Sequence, residues 1–119
     1  MKRLSCLLLA ASLTTTAWAD CTYPKAPGKM PNGNSATRDE MLAAKKLITQ
    51  YNTDMNGYLE CIKTEYDGTM AKNASAPEEQ KQQMAARYTK QNDAAVDELQ
   101  EVASQFNEQL RAFKAKSAK

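Results

Sequence analysis

The chain has 119 residues, 25% of them charged, with 16 Lys and Arg against 14 Asp and Glu, three cysteines and no histidine. A chain of this length holds one domain. The near balance of charge argues against a nucleic-acid binder, whose affinity rests on a basic excess that neutralises phosphates, and a histidine-free chain lacks the side chain most often used as a general base.

Residues 1–19 read as a secretory leader. Lys2 and Arg3 form a basic start, "LSCLLLAASL" is the apolar run, and Ala17-Trp18-Ala19 supplies a small-x-small cleavage site. The run is too short to span a bilayer. The expectation is therefore a cleaved leader, a periplasmic address and no stable membrane insertion. Removing Lys2 and Arg3 from the 16 basic residues leaves them equal to the 14 acids.

Cys6 departs with the leader, which leaves Cys21 and Cys61. Asp20 stands directly before Cys21, where a lipidated cysteine needs a small residue. An exported pair is most simply a disulfide, and two thiols without histidine cannot complete a tetrahedral zinc site. No metal and no cofactor are expected. Closing a loop of about 40 residues stabilises a fold by about 4 kcal/mol in the chain-entropy account.

Residues 20–36, rich in Pro, Gly and Asn ("CTYPKAPGKMPNGNSA"), form an extended arm. "TRDE" at 37–40 is a capping box that opens a helix. Met41, Ala44, Ile48, Tyr51, Met55, Tyr58 and Ile62 then recur every three or four residues, with Leu47, Leu59 and Tyr66 widening the stripe. Gly68 is the expected stop. "NTDMNGYLECIK" (52–63) matches part of a calcium loop, but Lys63 stands where the site needs a bidentate glutamate, and the stripe passes through in phase. A continuous helix is expected there.

"SAPE" at 75–78 is read as a second capping box, with Pro77 in the first turn. The second stripe runs through Ala85, Tyr88, Ala95, Leu99, Val102, Phe106 and Phe113, flanked by Val96, Ala103 and Leu110. The expected fold is all-α: a long antiparallel two-helix hairpin, about 37–67 and 76–114, with the arm pinned by Cys21–Cys61. The arm can reach, since its fifteen or so residues span up to about 50 Å and the helix from Thr37 to Cys61 rises about 36 Å.

A turn centred near residue 71 would set Ile62 across from Gln80 and Thr37 across from Gln105. Everything later in the second helix would then overhang the first by about 13 Å. Phe106, Leu110 and Phe113, rimmed by Arg111 and Lys114, are the expected partner-binding patch, exposed because the bridge draws the arm the other way.

No catalytic constellation is evident. Ser35, Ser75, Ser104 and Ser117 lie at caps, on a polar face or in the tail, and Asp93, Asp97 and Glu101 read as a solvated row. "NAS" at 73–75 matches a glycosylation sequon, but the leader has a bacterial form and Ser75 is assigned to the cap.

The stretch "SATRDEMLAAKKLITQYNTDMNGYLECI" resembles small exported proteins of Gram-negative bacteria that carry a Pro-rich arm after a cysteine and two polar-apolar helices. The features are Glu40-Met41, Tyr51, Tyr58-Leu59 and Cys61, with Cys21 before the arm. The resemblance implies the cysteine pairing and the periplasmic address, and it carries over no functional residue.

Two function classes follow. One is a non-enzymatic interaction protein that self-associates or binds a protein partner as an adaptor or holdase, with Met30, Met41, Met55, Met70 and Met84 suiting an adaptable surface. The other is a weak envelope-surface or small-ligand binder using Tyr51, Tyr58, Tyr88 and the basic tail, Arg111, Lys114, Lys116 and Lys119.

Overall fold

A computed structural model of the chain describes residues 21–119; the leader assigned to 1–19 lies outside them. Two helices carry the described residues, α1 (Arg38–Lys72) and α2 (Glu78–Ser117), and they pack against each other as a hairpin. The capping box forms as expected. The Glu40 backbone N–H donates to Thr37 Oγ1 at 3.2 Å, and the Thr37 N–H donates to Glu40 Oε2 at 2.7 Å. α1 is continuous through 52–63.

The turn departs from expectation on both sides. Gly68 stays helical, which costs about 1 kcal/mol relative to alanine, and α1 runs on to Lys72. Asn73 ends it instead: its N–H bonds the carbonyls of Thr69 and Met70, and its Nδ2 donates to the Thr69 carbonyl at 2.8 Å. The Ser75 cap is not formed. Pro77 itself is the N-cap of α2 and no side chain caps it, because a proline disfavours helical backbone in the residue before it and so bars Ala76 from the helix.

The later turn changes the register. Under the expected centre Tyr66 would have faced Ala76; its ring stacks on Tyr88, twelve positions further along, with centroids 4.6 Å apart. The overhang therefore vanishes. Phe106 is only 8% exposed and shares a cluster with Ala36, Met41 and Ala44, against which Met30, Leu110 and Phe113 also pack. The expectation that Phe106, Leu110 and Phe113 form an exposed patch is corrected: the first is core and the other two are half-buried.

The arm closes one side of the hairpin along its length. Cys21 is bridged to Cys61, with Cα atoms 5.7 Å apart. The Tyr23 ring meets Tyr58 edge-on at 4.9 Å, and its hydroxyl donates to the Glu98 carboxylate. Ala26 and Met30 pack on the central cluster of Tyr51, Met55, Tyr58, Ile62, Ala95 and Val102. At Asn32 the chain turns, its side chain accepting from the Asn34 N–H at 3.0 Å. Gly33 then lies against α2 so closely that a Cβ would stand 1.9 Å from the Gln109 carbonyl oxygen. Its N–H donates to Gln109 Oε1 at 2.9 Å. Lys116 closes the far end, donating to the Ala36 carbonyl at 2.9 Å with its ammonium 5.2 Å from the Phe113 ring centre. Contrary to expectation, the arm reaches the end of α2, because the register brings that end back beside Thr37.

Candidate interaction surface

The two stripes, written as heptads abcdefg, assign a flank to every side chain. In α1, Met41, Ile48 and Met55 take position a and Ala44, Tyr51 and Tyr58 take d. Glu40, Leu47, Asp54 and Cys61 then fall at g, with Lys45, Asn52, Leu59 and Tyr66 at e. In α2, Leu99 and Phe106 take a and Ala95 and Val102 take d, which puts Gln91, Glu98 and Gln105 at g and Thr89, Val96, Ala103 and Leu110 at e. In an antiparallel pair the two g rows share one side and the two e rows the other.

The g side belongs to the arm. Cys21 is bonded at Cys61 and Tyr23 at Glu98, both g positions, and Ala26 and Pro27 run beside Gln105 and Val102. Glu98 gathers this contact. Burial first, then Glu98, raises the pKa of Tyr23; burial followed by the charge of Glu98 pushes Tyr51 up to about 12. Tyr51 is core, and its hydroxyl lies near the Glu98 carboxylate without making a hydrogen bond of ordinary geometry.

The e side is chemically different. Leu59, Tyr66, Val96, Ala103 and Leu110 are apolar and half-buried, joined at the edge of the seam by Ile48 and Leu99. On α2 no charged residue occupies an a or e position between Ala85 and Phe113, and on α1 none does between Lys45 and Thr69. A soluble coiled coil normally carries Glu or Lys at e and g. Apolar residues at a, d and one of the flanking positions are the pattern of a helix that faces more than one neighbour.

The remaining sequence-assigned residues are dispersed. Arg111 and Lys114 are exposed, but Lys116 is committed to the arm, so the basic tail is divided. Tyr51 and Tyr58 are core, while Tyr88 is half-buried under Tyr66. Asp93, Asp97 and Glu101 are exposed, and Met41 and Met55 are buried. Near the turn, Ile62, Tyr66, Thr69, Met84 and Tyr88 line a shallow depression of about 200 Å³, below the size of an ordinary ligand pocket. Gly33, Glu98 and Gln109, which join the disulfide and Lys116 in holding the arm, were not singled out by the sequence; the "NGN" turn at 32–34 was the available clue.

Among the described residues no group of three or more His, Cys, Asp or Glu is placed to hold a metal, and no helix is long and apolar enough to cross a membrane. No protein-family model matches the chain, and neither a curated protein nor a solved structure is detectably similar to it.

Proposed function

We propose that this chain is an exported, non-enzymatic interaction protein that binds protein through the apolar e flank of its helical hairpin. The supporting observation is the asymmetry of the hairpin's two sides. The arm covers the side whose g residues are mainly polar, while the side with Leu59, Val96, Ala103 and Leu110 is left half-buried. A row of half-buried apolar side chains that no other described part of the chain covers is the kind of surface that marks an association site. The leader-like residues 1–19 and the Cys21–Cys61 bridge support a periplasmic address, since disulfides persist in oxidising compartments. The non-enzymatic reading is supported by the histidine-free sequence and by the commitment of both remaining cysteines to the bridge.

Salt separates this reading from an envelope-surface role. Apolar association changes little as ionic strength rises, whereas attraction of Arg111, Lys114 and Lys119 to anionic lipid or cell-wall fragments is screened beyond about 10 Å at 0.1 M salt. The expected result is protein association that persists at high salt and no binding to anionic vesicles at low salt. Vesicle binding that salt abolishes, without protein association, would contradict it.

A further inference from the structure

We infer that the occupant of the e flank is a second copy of this chain, and that two hairpins pack face to face as a four-helix bundle with their arms on the outside. This rests on the interaction reading above and names its partner.

Three features of the flank select a copy of itself. The first is its lack of charge. Along Thr89, Val96, Ala103 and Leu110 on α2, and Asn52, Leu59 and Tyr66 on α1, no side chain is ionised; charge is confined to the margins of the row, at Lys45, Lys63 and Asp93. A partner recognised by charge finds little to read along the middle of the row, whereas an identical face matches it in polarity.

The second is periodicity. The e residues repeat every seven on both helices, and knobs repeating at that interval fit holes repeating at the same interval. A twofold axis provides this, because the same patch then serves as knob and hole. The e rows of both helices run side by side along the hairpin, from Asn52 to Tyr66 on α1 and from Thr89 to Leu110 on α2, so the flank has a midpoint of its own. A twofold axis through that midpoint superposes the whole flank on its copy.

The third is area. From Ala85 to Leu110 the flank is about 38 Å long at 1.5 Å per residue, and two helices 8–10 Å apart present a width of about 20 Å. That is a footprint of roughly 760 Å² per copy, close to the ~800 Å² per partner of a standard stable interface. The arms do not obstruct this packing, because their contacts at Cys61, Glu98 and Gln109 lie on the seam and on its other side.

Sedimentation equilibrium and light scattering on the purified, disulfide-bonded protein test this directly. The native chain is expected at twice its monomer mass at micromolar concentration. Val96→Arg, and separately Gln100→Arg combined with Asn107→Arg at the exposed edge of the flank, are expected to weaken dimerisation by at least about 100-fold through like-charge juxtaposition across the axis. Helicity should be unchanged, and Glu108→Arg, on the other side of α2, should leave the dimer intact. Should Val96→Arg fail to fold, the Gln100/Asn107 pair decides, since both residues are exposed. A native chain that is monomeric at every concentration overturns the inference, as does a dimer indifferent to both variants. A monomer that still associates with another protein independently of salt overturns the copy as partner and leaves the interaction reading standing; one that associates with nothing overturns both.

Discussion

The ring of Tyr66 lies flat against that of Tyr88, with centroids 4.6 Å apart and planes 9° from parallel. This contact sits in the half-buried zone near the turn, beyond the point where the arm begins at Cys21, and it carries the register there. Stacked aromatic pairs contribute about 0.5–1.5 kcal/mol beyond their area. A double-mutant cycle with Tyr66→Ala and Tyr88→Ala should therefore return a coupling in that range by urea denaturation. Additive losses would mean that the two rings do not meet in solution.

Gly33 is the closest approach of arm to helix. An added Cβ would stand 1.9 Å from the Gln109 backbone oxygen and 2.9 Å from the Phe113 nitrogen, both main-chain atoms that cannot step aside. Gly33→Ala should lift residues 30–36 off α2 and expose Phe106, a loss of about 2–4 kcal/mol on the scale of uncovering a large core side chain. Limited proteolysis should then cut the arm while the helices persist by circular dichroism. An unchanged melting temperature and intact arm would refute the packing described.

The disulfide fixes the other end of the arm. Its sequence separation of 40 leads to an expected loss of about 2–5 kcal/mol in Cys61→Ser. Far-UV helicity should survive, because α1 is nucleated by its own capping box at Thr37 and Glu40. A thiol probe should find no reactive cysteine in the unfolded, unreduced protein of residues 20–119, and two after reduction.

Alkaline pH should loosen the arm before it melts the hairpin. Burial holds both Tyr23 and Tyr51 above the ordinary value of 10.0, with Tyr51 pushed up to about 12. An acid whose pKa is raised on folding keeps more protons folded than unfolded, so stability is complete below about pH 10 and falls as pH rises above it. The melting temperature should drop between about pH 10 and 12, and Tyr51→Phe should flatten that drop. The same change removes a buried hydroxyl that makes no hydrogen bond of ordinary geometry, so at neutral pH it should be neutral or stabilising. A steeper alkaline loss in Tyr51→Phe would contradict this assignment.

The elements themselves were legible in the sequence. The capping box at Thr37 announces α1, the three-and-four spacing from Met41 to Ile62 gives its buried face, and the pair Cys21 and Cys61 gives the bridge. The register was not legible, because it depends on where one turn falls. A glycine such as Gly68 is compatible with a stop or with helix, at a difference of about 1 kcal/mol, and the choice was made five residues later by Asn73, which caps the carbonyls of Thr69 and Met70. Moving a turn by a few residues moves every cross-helix partner about twice as far. That displacement turned Phe106 from an expected patch into core. The surface proposed instead was visible only as a widening of the stripes by Leu59, Tyr66, Val96, Ala103 and Leu110. It acquired meaning once the arm was seen to occupy the other side. Leu47, which widened the stripe toward the arm, remains 60% exposed.

Photo-crosslinking in intact cells reads out whether the hairpin associates through its e flank and keeps its g flank for the arm. A photoreactive side chain at Gln100, exposed beside Val96, and one at Gln105, exposed on the arm's side, sample the two flanks from one helix. A strong protein adduct is expected from Gln100, at twice the monomer mass, and little or none from Gln105. Equal adducts from both positions, or an adduct from Gln105 alone, would contradict it.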